Sequence, residues 1–468
     1  MATKQRVKTK AVEPDEVSIK DKVFRRDTEI TKVGKGQRFI VSSIVEGAPI
    51  EWDFLYAMEN YAKLNGAKLV LLWMRGVYKG DHFNREDLNY IRPYLASQYR
   101  FNSKLIAKDF MLHPAQKCPT TGLQQYAQSN DSLICASTKQ DMKVVARPVG
   151  RTPHTLHTTG TVSRPKYSKT RVGCIAEHDN QLGALVIEAI DSKRFFIRQV
   201  QWSDGYFVDL GVKYMPDRYD RIETAAMVLG DIHFGDEDKQ AVATTLDQIN
   251  TLKPAKVFLH DLASNNSISY HDIHDCIKTC TRPAEFATLE KEWDYVKHAL
   301  KDFKASCPRT TGLYVVASNH DDFIYKWLKE GDFIKDPQNA RMGAKLFLMA
   351  TEGKNPMAEC LNVPGVVFLK KDCSMKVEGW ECAQHGHIGN NGARGSIKSY
   401  AVSYDKAFIG HSHTPGINGH IWQVGTLSKF KLSYTKGPSS WLHCNGVIYK
   451  GGHSQMLIFI GDEWRLND

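Results

Sequence analysis

Ala225-Ala226-Met227-Val228-Leu229-Gly230-Asp231-Ile232-His233 sets the reading of this chain. A short apolar run of this kind fits a buried strand. It stops at a glycine, and a carboxylate and an imidazole follow two residues apart. Both side chains can then turn into one cleft at the strand's carboxyl end. Oxygen and nitrogen donors in that arrangement suit a divalent metal such as manganese, zinc or iron. A single Asp-x-His after a strand is common, so the weight falls on what accompanies it.

Four further polar motifs follow in order, most of them at the end of an apolar run: His260-Asp261, Ser318-Asn319-His320-Asp321, His385-Gly386 and Gly410-His411-Ser412-His413. Asp261 follows Lys256-Val-Phe-Leu, where a carboxylate can bridge two ions or simply cap the next helix. Asn319 offers a neutral amide oxygen, and the adjacent His320 a proton donor; the bland alternative is a turn using Asn and Asp for local backbone bonds. His411 and His413 share one face of an extended segment. His385 and His387 are alternatives that spacing does not separate. Taken together, the set predicts two divalent ions held by groups from separate strand ends, and chemistry at a phosphoester.

Outward from the motifs, the chain alternates regularly between strand and helix from Ala225. An amphipathic helix is expected over Asp238–Leu252 and a long one over Thr288–Ala305; strands are expected at Lys256–Leu259 and Leu313–Ala317, and helical segments near 323–330 and 337–351. After Gly365 the texture becomes strand-rich. Active groups at consecutive strand ends are what an open α/β sheet presents at its binding edge. Upstream, Arg38–Ile44, Trp52–Leu64 and Lys68–Met74 read as strand, helix and strand, a unit that builds parallel sheet. Runs at Ala184–Ala189 and Arg194–Val200 read as further strands. Residues 1–30, charged and poor in large apolar side chains, read as a loosely attached arm. A boundary near 215–222 then divides an α/β domain over 31–220 from the motif-bearing domain over 221–468.

The chain has 468 residues, 42% of them hydrophobic, which is ample for two or three cores. No window approaches the roughly 18 apolar residues of a membrane span, and Met1-Ala-Thr-Lys-Gln-Arg has no apolar signal region. Membrane is therefore not an expected partner. Ten cysteines lie without paired spacing, and buried, reduced thiols in a cytoplasmic protein are expected. Net charge is +10, and Lys139–Arg171 holds eight Lys or Arg against one Asp, with His154, His157 and Tyr167 interleaved. That stretch reads either as an irregular solvated loop or as a surface for a phosphate backbone.

On these motifs the segment from 225 to about 430 resembles the calcineurin-like metallophosphoesterase superfamily, whose patterns are DxH, GD, GNH, H-G and GHxH. The resemblance covers under half the chain. It implies a β-sandwich flanked by helices, with Asp231, His233 and His413 on one metal, Asn319, His385 and His411 on the other, Asp261 bridging, and His320 as a non-ligand acid. Its pattern favours His385 over His387. His260 stands where the family usually has Gly, Ser318 replaces the Gly before Asn, and Leu262-Ala-Ser264 lacks the second Asp of the longer GDxxD form. Close backbone approach at the first two points is therefore in question. The protein Ser/Thr phosphatase signature is absent, and Gly-His-Ser-His-Thr-Pro with Asn-His-Asp is similar to the nuclease and phosphodiesterase branches.

An additional N-terminal domain ahead of such a module is similar to bacteriophage early proteins that degrade host DNA. The expectation is a DNase using two divalent ions, manganese first and zinc, iron or magnesium as alternatives. In it, a metal-activated hydroxide attacks phosphorus and His320 assists the leaving oxygen, with Asp231 and Asp261 essential. DNA is the expected partner, the host cytoplasm the expected location, and a homo-oligomer is compatible with the sequence. A nucleotide phosphodiesterase or phosphatase would use the same centre behind a narrower entrance. A non-catalytic host-takeover binding protein would carry it as a relic.

Overall fold

Alternation along Thr224–Val228 shows how the motif-bearing half is layered. Ala226 and Val228 point to one buried cluster and Met227 to another, so the strand is covered on both faces. The same holds for Lys256–Leu259, where Val257 and Leu259 face one side and Phe258 the other. In this computed structural model, which describes residues 16–17 and 36–466 apart from 130, 149, 271, 272, 274, 433 and 434, these strands belong to a six-stranded sheet. Its order is Val366–Phe368, Gly312–Val315, Lys256–Leu259, Thr224–Val228, Cys444–Tyr449 and Ser454–Ile458. The first four run parallel and the last two join antiparallel.

One face is covered by helices Lys239–Leu252 and Leu289–Ser306, which contribute Ile249, Leu252, Trp293, Val296, Leu300 and Phe303. Each starts on a side-chain cap: Asp238 accepts from the Gln240 and Ala241 amides, and Thr288 from that of Lys291. The other face meets a second sheet through Phe258, Val316, Trp380, Phe408 and Trp422. The architecture is thus mixed α/β, with several multi-stranded sheets and flanking helices.

That second sheet has ten strands. Lys376–Val377, Trp380–Glu381, Ala407–Ile409, Ile421–Gln423 and Gly416–Asn418 lead into Asp141–Val145, His154–Thr158, Ser132–Cys135, Leu105–Lys108 and Gln98–Asn102. The junction is the antiparallel pair Ile417↔Met142 and Asn418↔Asp141. Strands from both sides of the expected 215–222 boundary therefore share one hydrogen-bonded sheet. Upstream, Gln37–Val45 and Lys68–Met74 pair in parallel across helix Trp52–Leu64, the expected unit, inside a five-stranded sheet that also holds Gly183–Ala189 and Phe195–Gln201.

The expected arm over 1–30 lies outside the described residues, save Glu16–Val17, which pairs with Phe83–Asn84. Two expectations need correcting. Residues 139–171 are no open basic loop, because they contain the strands Asp141–Val145 and His154–Thr158, with His154 and His157 buried. Three of the eight cations there are held in ion pairs: Lys139 with Asp179, Arg164 with Glu51 and Lys166 with Asp81. The cysteines are all free, but Cys118, Cys174, Cys276 and Cys280 are exposed rather than buried. No helix among the described residues is long and apolar enough to cross a membrane.

Candidate metal centre

The five motifs converge. Three of them leave the carboxyl ends of Thr224–Val228, Lys256–Leu259 and Gly312–Val315 in the six-stranded sheet. The other two follow Trp380–Glu381 and Ala407–Ile409 in the facing sheet, so the centre sits where the ends of two packed sheets meet. Asp231, His233, Asp261 and His413 are buried and present ligand atoms all within 4.8 Å of one another. His413 Nε2 lies 3.1 Å from His233 Nε2 and 3.1 Å from Asp231 Oδ2. Asp261 Oδ2 lies 3.5 Å from His233 Nε2 and 3.3 Å from His385 Nε2. Asn319 Oδ1 is 3.0 Å from both His385 Nε2 and His411 Nδ1. Two donors about 2.1 Å from a common ion, at tetrahedral to right angles, stand roughly 3.0–3.4 Å apart. The observed separations match that spacing, apart from the 3.5 Å between Asp261 and His233, which lies just above it.

The unsatisfied atoms point the same way. Asp231 is 0% and Asp261 1% exposed, yet both oxygens of Asp231 and Oδ1 of Asp261 have no hydrogen-bond partner among the described residues. A buried carboxylate left so is costly by several kcal/mol unless a cation faces it. The donor set and its orphaned oxygens therefore fit a divalent ion, and this buried His/Asp cluster can hold one.

Backbone geometry supports the same arrangement. His233, Asp261, His411 and His413 all have positive φ, between 44° and 74°. Left-handed backbone costs a non-glycine residue on the order of 1–3 kcal/mol and collects at functional sites. Gly410 gives room: a β-carbon there would come within 2.4 Å of Asp231 Oδ1. Gly386, at φ 108°, lets the chain turn immediately after His385. Asn319 and His320 open the helix Asn319–Lys329, and Asp321 Oδ2 accepts from the Ser318 amide at 2.9 Å. The turn chemistry of this motif and its site role are thus the same structure.

Protonation follows from the packing. Burial disfavours the Asp261 carboxylate, but the His385, His320 and His233 rings outweigh it and hold its pKa well below the usual range. Burial pulls His385 down, while Asp261, together with Asp231 and Asp321, lifts it to about 9. Burial keeps His233 well below its ordinary value, and takes His260 and His411 down to about 4. Those neutral rings have lone pairs to offer.

His320 Nδ1 is 2.7 Å from the Ser264 carbonyl, so that nitrogen carries the proton and Nε2 faces Asp261 at 4.0 Å. Between the two candidates that spacing left open, His385 is the one in the cluster; His387 turns toward Asp322, 3.5 Å away.

Two contacts escape sequence reasoning. The His260 ring packs behind His385, Nδ1 to Nδ1 at 3.1 Å, on the side away from Asp261. His260, His385 and Asp231 also present ligand atoms within 4.8 Å of one another, but Asn319 approaches the His385 nitrogen that faces Asp261, and His411 in turn meets Asn319. Ser264 Oγ donates to Asp236 Oδ2 at 2.9 Å and so accepts from His233 Nδ1 at 3.2 Å. Ser264 occupies the position where the longer GDxxD form has its second Asp, which was the available signal.

Against known proteins, Protein A1 of Escherichia phage T5 is 27% identical over 96% of this chain and 86% of its own length. The similarity to a phage protein thus extends over most of both chains. No protein-family model matches it.

Proposed function

We propose that this protein is a metal-dependent nuclease that hydrolyses DNA phosphodiester bonds, built as a calcineurin-like metallophosphoesterase. The observation that carries the reading is a pair of buried carboxylates with unpartnered oxygens, faced by imidazoles and an amide from both sheets. The stacking of the six-stranded sheet on one half of the ten-stranded sheet, with helices outside, supports the sandwich that this superfamily implies. Similarity to a phage protein supports a phage origin and work in the host cytoplasm.

Asp231, His233 and His413 would hold one ion, and Asn319, His385 and His411 the other, with Asp261 reaching both. Divalent ions so held supply charge neutralisation at the phosphoryl oxygens and an acidified water, and manganese suits the mixed oxygen and nitrogen donors. His320 stays outside the ligand set. Its Nδ1–H is fixed on the Ser264 carbonyl and Asn265 Nδ2 donates to its own carbonyl at 2.9 Å, so Nε2 is the atom that holds or releases a proton beside the leaving oxygen.

The test is digestion of linear and circular DNA with manganese, with EDTA and with the Asp261→Ala protein as controls, alongside bis-p-nitrophenyl phosphate. Cleavage of DNA that EDTA and the substitution abolish is expected. Hydrolysis of the small diester without cleavage of DNA would favour a nucleotide phosphodiesterase. Inactivity on both with manganese, zinc, iron and magnesium would overturn the reading.

A further inference from the structure

Beside the metal centre lies a cleft of about 780 Å³ whose walls come from opposite parts of the chain. One wall is the loop after Arg147, including Arg151; the other is the segment around Phe430, Lys431, Lys436 and Trp441. Two backbone hydrogen bonds between Arg147 and Ser439, each 2.9 Å, pin the walls together. Trp441 connects the cleft to the centre, because its ring packs on His413 with centroids 4.2 Å apart while it also lines the cleft. Phe430 is 46% exposed and is held edge-to-face on the buried His443, centroids 4.3 Å apart. An aromatic ring kept half in water and braced from behind offers a stacking face.

The charges complement a polyanion. Arg151, Lys431 and Lys436 are exposed, and none forms an ion pair among the described residues. The lining carboxylate is Asp238, whose Oδ1 is committed to the Gln240 and Ala241 amides at the start of a helix. Aromatic rings interleaved with unpaired cations bind single strands, since an unpaired base has a free face to stack and the cations track its backbone. A duplex keeps its bases paired and offers no such face.

We infer that this cleft binds single-stranded nucleic acid, stacking a base on Phe430 or Trp441 and guiding the strand past Arg151, Lys431 and Lys436 toward the metal centre. The direction of the strand rests on the phosphodiesterase reading; the binding itself does not. Pro148 and residues 150–153, far upstream of the motifs, thereby form part of the substrate path.

The experiment is fluorescence anisotropy of the full-length protein with a fluorescein-labelled oligothymidylate in EDTA, compared with a duplex of equal length. Tighter binding of the single strand is expected. Phe430→Ala should weaken it about fivefold or more. Arg151→Glu with Lys436→Glu should lower the salt slope by about 2, one for each lost phosphate contact. These positions are exposed, and an unchanged thermal midpoint checks that the variants fold. The same reversal at Lys63 and Lys68, exposed but outside the cleft, should leave affinity unchanged. Equal or tighter duplex binding, or indifference to the cleft substitutions, would overturn the inference. Strand binding without any DNA cleavage would count against the nuclease alone, and small-diester cleavage with cleft-independent binding against the cleft alone.

Discussion

Around Arg198, in the five-stranded sheet, buried charge is closed on itself; around Asp231, at the ends of the six- and ten-stranded sheets, it is left open. Arg198 is fully buried, with Nη1 on Glu188 at 2.8 Å and Nε and Nη2 on the two oxygens of Asp209 at 2.7 and 3.0 Å. Tyr61 and Gln455 donate to the same Asp209, and the Leu466 amide to Glu188. Burial opposes that guanidinium charge, yet Asp209 and Glu188 hold it protonated. Asp231 is as deeply buried and neither of its oxygens has a hydrogen bond among the described residues. The first cluster is complete from the chain alone and serves the fold. The second would be completed by a bound cation, and that difference separates a closed structural network from a cluster able to hold a metal.

Replacing the open charge should therefore have the largest effect on activity and the least on the fold. Asp231→Asn or Asp261→Asn should lower diester hydrolysis by roughly 10⁴-fold, because members of one catalytic unit fail together. In EDTA the Asp231→Asn protein should melt no lower than the unsubstituted protein, and higher if the unpaired charge is relieved. Manganese should raise the melting temperature of the unsubstituted protein and not of the variant. A variant that loses stability in EDTA would show that Asp231 belongs to a closed network after all.

The closed cluster should behave in the opposite way. Arg198→Met strands Glu188 and Asp209 in the interior and should cost about 3–5 kcal/mol in urea denaturation, as removing one partner of a buried pair does. Manganese affinity of the fraction that remains folded should be unchanged. A shift in that affinity would mean the two clusters are coupled through the sheets.

How much of this was legible turns on locality. Lys256–Leu259 is read to the residue, because a Pro precedes it and His260-Asp261 ends it. Helix Lys239–Leu252 is legible because Asp238 caps it and its apolar positions recur at helical spacing. The strands inside 139–171 were hidden: Asp141–Val145 takes one of its partners, Gly416–Asn418, from some 275 residues away, and in both strands lysines and threonines blur the alternation that pairing makes sense of. That these motifs gather in one place was legible from their order. The separation of His385 from His387 by spacing was not, since it depends on Asp322 drawing one ring aside.

A third test uses acid. His157 is buried beside Gln199, and burial lowers its pKa from the ordinary 6.5 to about 3. The folded state therefore binds that proton less readily than the unfolded chain. Its contribution to stability is full above pH 6.5 and is lost as pH falls from there toward 3. Between pH 6.5 and pH 5 the loss should be about 2 kcal/mol, visible as a falling urea midpoint. His157→Asn should flatten that slope whatever its effect at neutral pH. An unchanged slope would remove His157 as a source of acid sensitivity in the N-terminal sheets.

The smallest effect expected is also the most specific. Ser264 gives its hydroxyl proton to Asp236 and receives one from His233 Nδ1, which fixes His233 with its Nε2 lone pair toward Asp261 and His413. Its carbonyl separately holds His320 Nδ1. Ser264→Ala removes the first bond and keeps the second, so the two roles can be told apart. Manganese affinity should fall about tenfold, the lower end for losing a partner that orients a metal-bound histidine. At saturating manganese kcat should return to nearly its original value, because His320 is still oriented. A kcat that stays low when metal is saturating would place the serine side chain in the chemistry rather than behind the ligand.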